Sequence, residues 1–175
     1  MKNLSVVTII AFYILSIVAC KKSTMPPAPS ANNEMNATVA IAGAAPISHK
    51  ASNYHVYIPR TVGSNGETYI SISGNVGTPN TTSERSITIV LFNISATGTY
   101  AFNMDPNARQ QAYCTYEIGN IFSYIYNQYS TETVAQAGSV TITAITATSI
   151  QGTFTANCDN YAIISNGTFK GDFEK

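Results

Sequence analysis

Tryptophan is absent from the 175 residues, charged side chains make up only 10% of them, and the chain has just three cysteines and two histidines. Each shortage excludes something. With nine basic and nine acidic residues and a formal net charge of zero, no electrostatic field exists to steer nucleic acid, and a nucleic-acid partner is not expected. His49 and His55 stand six positions apart without a carboxylate or cysteine beside them. They lack the ligand spacing of a zinc site and read as hydrogen-bonded or exposed side chains, so neither a metal nor a cofactor is expected. The acids are scattered singly at Glu34, Glu67, Glu84, Asp105, Glu117, Glu132, Asp159, Asp172 and Glu174. Glycoside hydrolysis needs two carboxylates facing one bond, and nucleophilic catalysis needs a base held against Ser, Thr or Cys. No local pattern supplies either, and an enzyme is not expected. Asp105 in Asp-Pro-Asn and Asp159 in Cys-Asp-Asn read as Asx-turns.

Long apolar runs are also missing, with one exception that falls short. Lys2 provides a basic start, Val6 to Ala19 is an apolar run of 14 residues, and Cys20 follows at once. A membrane span needs roughly 20 apolar residues, so the run reads as a signal peptide over residues 1–19 and not as a span. Ile17-Val18-Ala19-Cys20 resembles the bacterial lipobox, in which the cysteine is lipidated before cleavage. The resemblance implies acylation of Cys20 with two or three chains such as palmitate. Each buried methylene contributes about 0.8 kcal/mol, and more than one chain makes anchoring effectively permanent. The expected address is therefore the cell outer membrane, with the leaflet left open and the membrane itself as a partner. Lys21 and Lys22 would sit among the headgroups.

Residues 20–35 continue as a tether rich in Pro, Ser, Ala and Asn, with Pro26, Pro27 and Pro29 favouring extended geometry. One domain is expected from Asn36 to Lys175. Short alternating segments separated by turn residues recur through it: Tyr54–Pro59, a Gly63-Ser64-Asn65-Gly66 hairpin, Tyr69–Gly74, Ser86–Asn93, Gly98–Asn103, two tyrosine-dense strands within Tyr113–Tyr129, Ser139–Ile145, Ser149–Asn157, Tyr161–Ser165 and Thr168–Phe173. No apolar pattern of helical period persists. The expected fold is all-β, an antiparallel sandwich of about eight or nine strands. Gly98-Thr99-Tyr100, Gly152-Thr153-Phe154 and Gly167-Thr168-Phe169 repeat a Gly-Thr-aromatic triplet at irregular spacing, each glycine marking a bulge or the start of a strand.

Once Cys20 is set aside, Cys114 and Cys158 remain as an even pair in an exported chain. They are either disulfide-bonded or two separately buried thiols, and the bond is the expectation. Closing a loop of about 45 residues would contribute about 4 kcal/mol on the chain-entropy account.

The order Gly138-Ser139-Val140-Thr141-Ile142-Thr143, then Ile150-Gln151-Gly152-Thr153-Phe154, then Ile164 to Phe169 resembles a family of small Bacteroidota lipoproteins that share a β-sandwich domain. The match covers about a quarter of the chain. An N-terminal Gly-Lys-Trp-like strand of that family is replaced here by Ala37 to Ala45. The family has no assigned activity, so the resemblance implies fold and location without chemistry.

One feature points toward binding. Tyr113, Tyr116, Tyr124, Tyr126 and Tyr129 crowd into 17 residues, and tyrosine offers a large contact area at low entropy cost. Exposed, they would stack on sugar rings or anchor a protein; buried, they would fill the core. Tyr124, Tyr126 and Tyr129 are the candidate ligand-binding residues. The functional expectation is a non-catalytic binding or structural module of the envelope. Its alternatives are a surface glycan- or protein-binding lipoprotein and an adhesin or fimbrial assembly component.

Overall fold

The computed structural model describes residues 32–79, 81, 83–102, 110–118, 122–125, 138–158 and 162–174, the side chains of residues 54 and 122–125 aside. Twelve strand segments occur among them: β1 (Glu34–Ile41), β2 (Ile47–Ser52), β3 (Val56–Tyr57), β4 (Arg60–Val62), β5 (Thr68–Val76), β6 (Arg85–Phe92), β7 (Gly98–Ala101), β8 (Gln111–Ile118), β9 (Phe122–Ile125), β10 (Gly138–Ile145), β11 (Ser149–Cys158) and β12 (Ala162–Asp172). They form two antiparallel sheets. One runs β2-β1-β12-β11-β10-β7; the other runs β3-β5-β6-β8-β9, with β4 also paired to β5. The β-sandwich expected from the alternation is what the chain forms, with more strands than the eight or nine read from sequence.

Period-2 patterning builds the interior. β5 turns Ile70 and Ile72 inward, β6 adds Ile87, Ile89 and Leu91, and β11 and β12 contribute Ile150, Phe154, Ile164 and Phe169 from the facing sheet. Burying a side chain of this size contributes about 1.5–3 kcal/mol. The outward positions of the same strands are mostly Ser, Thr, Asn, Gln and Lys, as a sheet with one wet face requires, with Tyr69, Val90, Phe92 and Ile163 as apolar exceptions.

Three local readings are corrected. β1 opens at Glu34, two residues ahead of Asn36, and it lies between β2 and β12 inside its sheet. Its inward residues Met35, Ala37 and Val39 are buried, but two of the three are small or flexible and their alternation is faint. Tyr54–Pro59 is not a continuous strand: Asn53 takes a positive φ of 55° and starts a 3-10 turn over Asn53–His55, leaving only β3 extended. Tyr161–Ser165 and Thr168–Phe173 are not two strands either. β12 runs through both, and Asn166 at φ 52° forms a bulge there, since Phe154 pairs with Gly167 while Ala156 pairs with Ile164. The Gly63–Gly66 hairpin is present, with Gly66 at φ 81°; its first arm is divided into β3 and β4, both paired antiparallel with β5.

The triplets at Gly152 and Gly167 explain each other. In the β11–β12 ladder Gly152 pairs with Phe169, Thr153 with Thr168 and Phe154 with Gly167. Each glycine leaves room for the ring of the opposing strand: a Cβ on Gly152 would lie 2.7 Å from Phe169 Cζ, and one on Gly167 would lie 2.6 Å from Phe154 Cδ1. The two rings meet tilted, with centroids 6.2 Å apart, a separation at which aromatic pairs attract. Gly98, the third copy, has φ 154° and stands at the start of β7.

Two polar side chains tie the sheets together from inside. Buried Asn33 donates from Nδ2 to the Val56 carbonyl at 3.2 Å and accepts from the Asp172 amide at 2.9 Å, joining β3 of one sheet to β12 of the other. Buried His49, inward on β2, reaches the Gly74 carbonyl on β5 through Nε2 at 3.0 Å. A carbonyl only accepts, so Nε2 carries the proton and Nδ1 is left as an acceptor, with no partner among the described residues.

Candidate functional site

The outer face of the second sheet gathers aromatic side chains where its strand register brings them together. Tyr69 on β5 is paired with Phe92 on β6, and the next outward residue of β6, Val90, is paired with Tyr113 on β8. Tyr69 and Tyr113 therefore flank β6 on a diagonal. Their phenols come close enough across β6 for one to act on the other. Val90 points outward beneath this span and is only 3% exposed. Tyr69 keeps 41% of its surface accessible, as does Tyr57, which β3 places opposite Ser73 on the same side of β5. Ser71, Ser73 and Thr88 surround the rings with hydroxyls, and Ser73 Oγ meets Thr88 Oγ1 at 2.8 Å.

Beside the phenols, β8 adds the Glu117 side chain on the same side as Tyr113. Partial burial first, and then the neighbouring Tyr69 phenol, push the Tyr113 hydroxyl up to about 12 from an ordinary value of 10.0. The Tyr113 hydroxyl is thus neutral near pH 7, able to donate and to accept. Flat rings beside a ring of hydroxyls suit a ligand with apolar faces and polar edges.

The tyrosine cluster seen in the sequence divides on folding. Tyr113 belongs to the outer face, whereas Tyr116, on the other side of β8, is fully buried in the core. The Tyr124 backbone pairs with Tyr116 through β9, and its side chain, with Tyr126 and Tyr129, lies outside the described residues, as do Cys20, Asp105 and Asp159. Tyr69, Tyr57 and Phe92 were not singled out by sequence. Their only signal is outward placement on alternating strands, and the register that joins them to Tyr113 is not local.

Elsewhere the outer face of the first sheet carries a rank of hydroxyls, Thr99, Thr141, Thr153 and Thr168, paired strand to strand, with Thr99 Oγ1 and Thr141 Oγ1 at 2.9 Å. Shallow depressions beside it are lined by Asn36, Thr143, Gln151 and Lys170. His55 is exposed and His49 buried, on different elements. No group of three or more His, Cys, Asp or Glu side chains that could hold a metal occurs among the described residues, and no helix there is long and apolar enough to cross a membrane. Cys114 and Cys158 are both buried, and no bond joins them in the structure. The chain matches no protein-family model, no curated protein and no solved structure.

Proposed function

We propose that the chain is a lipid-anchored protein of the cell envelope whose sandwich is a non-catalytic binding module, and that its ligand is a glycan taken on the Tyr57, Tyr69 and Tyr113 face. The observation that carries the reading is the pair of phenols, Tyr69 and Tyr113, that the strand register sets on either side of β6, with Tyr57 and Tyr69 open to solvent. A pyranose presents apolar C–H faces edged by hydroxyls, and a tyrosine platform ringed by serine and threonine offers the complement of both. The ligand approaches a flat surface, so a polymer or an extended oligosaccharide fits better than a single sugar, which a module without a deep pocket would not enclose.

Insoluble polysaccharides test this directly: cellulose, xylan, starch and purified peptidoglycan sacculi, each incubated with the protein and spun down. Retention by at least one is expected, with Tyr69→Ala/Tyr113→Ala reducing the retained fraction at least tenfold at an unchanged melting temperature, because aromatic anchors of this kind are worth about 2 kcal/mol or more. Retention by none, or undiminished retention of the double variant, overturns the reading.

The anchor is tested independently. Cys20 follows the Ile17-Val18-Ala19 segment of the lipobox-like motif, and Cys20→Ala is expected to move the protein from the membrane pellet to the soluble fraction. Continued sedimentation with membranes would rule out Cys20 as the attachment point.

A further inference from the structure

Two thiols meet inside the sandwich, one from each sheet. Cys114 lies on the inward side of β8 and Cys158 ends β11, and both are 0% exposed. The strands that carry them approach within 8 Å between Cα atoms, whereas facing sheets ordinarily stand about 10 Å apart. Small side chains permit that approach. Cys114 Sγ donates to the Thr115 carbonyl at 3.8 Å, and the Cys158 thiol stands beside it in the core, the juxtaposition that a disulfide requires.

We propose that Cys114 and Cys158 close into an intramolecular disulfide that clasps one sheet to the other when the chain folds in the presence of a disulfide oxidant. The proposal draws on the export argued above, since an oxidant of that class belongs to extracytoplasmic compartments. The chemistry is two exchanges. The thiolate of one cysteine attacks the S–S bond of the oxidant, glutathione disulfide for instance, giving a mixed disulfide and releasing one glutathione thiol. The second cysteine then attacks the mixed disulfide, forms the S–S bond and releases the second glutathione. Two protein thiols have lost two electrons and two protons, and one glutathione disulfide has gained them.

The timing follows from the surroundings. Once the sheets are packed, the adjoining Cys158 thiol and then burial hold the Cys114 thiol well above its ordinary range, and an oxidant cannot reach a fully enclosed sulfur. Exchange therefore belongs to the folding chain, before the core closes. The finished bond is shielded from reductants by the same packing.

To test this, the full chain carrying Cys20→Ser, which leaves only the two buried thiols, is unfolded and reduced in detergent and refolded with a mixture of glutathione and glutathione disulfide. It is then denatured in iodoacetamide without reductant and weighed. The expected product is lighter than the reduced chain by two hydrogens and carries no alkyl group. The same chain refolded with dithiothreitol in place of the glutathione mixture should melt roughly 10 °C lower, while Cys114→Ala/Cys158→Ala melts alike after either refolding. Alkylation of both cysteines, or a glutathione adduct on either, overturns the clasp. Weighing protein taken from producing cells separates the two proposals: reduced thiols there, with the cross-link formed on refolding, count against export and leave the clasp standing.

Discussion

Gly152→Ala is expected to destabilise the domain by about 3 kcal/mol, the upper range for forcing extra atoms into a packed interior. The added methyl group would press against the Thr141 carbonyl oxygen and lie 2.7 Å from Phe169 Cζ. Neither neighbour is free to yield. Thr141 is held in the β10 ladder directly beside Thr153, and the Phe169 ring packs against Phe154. Phe169→Leu in the Gly152→Ala background should recover only part of the loss, because the backbone conflict with Thr141 remains. Gly43→Ala is the comparison: Gly43 has φ +78° but nothing within 4 Å of the added atom, so only the backbone term of about 1 kcal/mol applies. Urea unfolding of the three variants measures this. A Gly152→Ala loss no greater than that of Gly43→Ala would show that the ladder can spread to admit the methyl group.

Acid should weaken the fold through His49 before the carboxylates titrate. Burial above all, with a smaller contribution from Arg85, lowers its pKa from 6.5 to about 4 against the opposing hydrogen bond to Gly74. The unfolded chain therefore takes up a proton near pH 6.5, while the folded chain resists until about pH 4. Stability is fully present above pH 6.5 and falls as the pH drops toward 4, by about 2 kcal/mol at pH 5 and about 3 kcal/mol at pH 4. His49→Gln keeps an N–H that can reach the Gly74 carbonyl and removes the titration. Unfolding free energies between pH 7.5 and 5 should fall for the native chain and stay nearly level for the variant. Parallel decline in both would assign the effect to carboxylates.

Fold class was readable because the inward residues of β5, β6 and β10 are mostly branched aliphatics whose alternation shows in the sequence. β1 was not, because Met35, Ala37 and Val39 alternate with Asn, Thr and Ala in a stretch that resembles a linker until β2 and β12 pair with it. Asn166-Gly167 carried a true signal with two physical outcomes. An asparagine in the left-handed region can end a strand or bulge it, and only the continuation of β11 alongside decides between them. The Gly-Thr-Phe triplets were visible as repeats, yet their meaning lies in antiparallel pairing with each other. For the candidate site, crowding of tyrosines drew attention to Tyr113, but its exposed partner is Tyr69, 44 positions earlier. The two meet only through the register of β6. Cysteine count isolated Cys114 and Cys158 as a pair; their contact depends on how the sheets face.

The position of β1 also decides how the molecule takes a pull. The chain ahead of Asn33 leads directly into a strand bonded on both flanks, to β2 and to β12, and Asn33 itself is fastened to the opposite sheet through Val56. Tension arriving from that end runs lengthwise along β1, so the ladder bonds on its two sides are sheared together rather than unzipped one after another. If the chain is anchored as proposed above, its domain should resist drag from that end far better than one whose first strand lies at an edge.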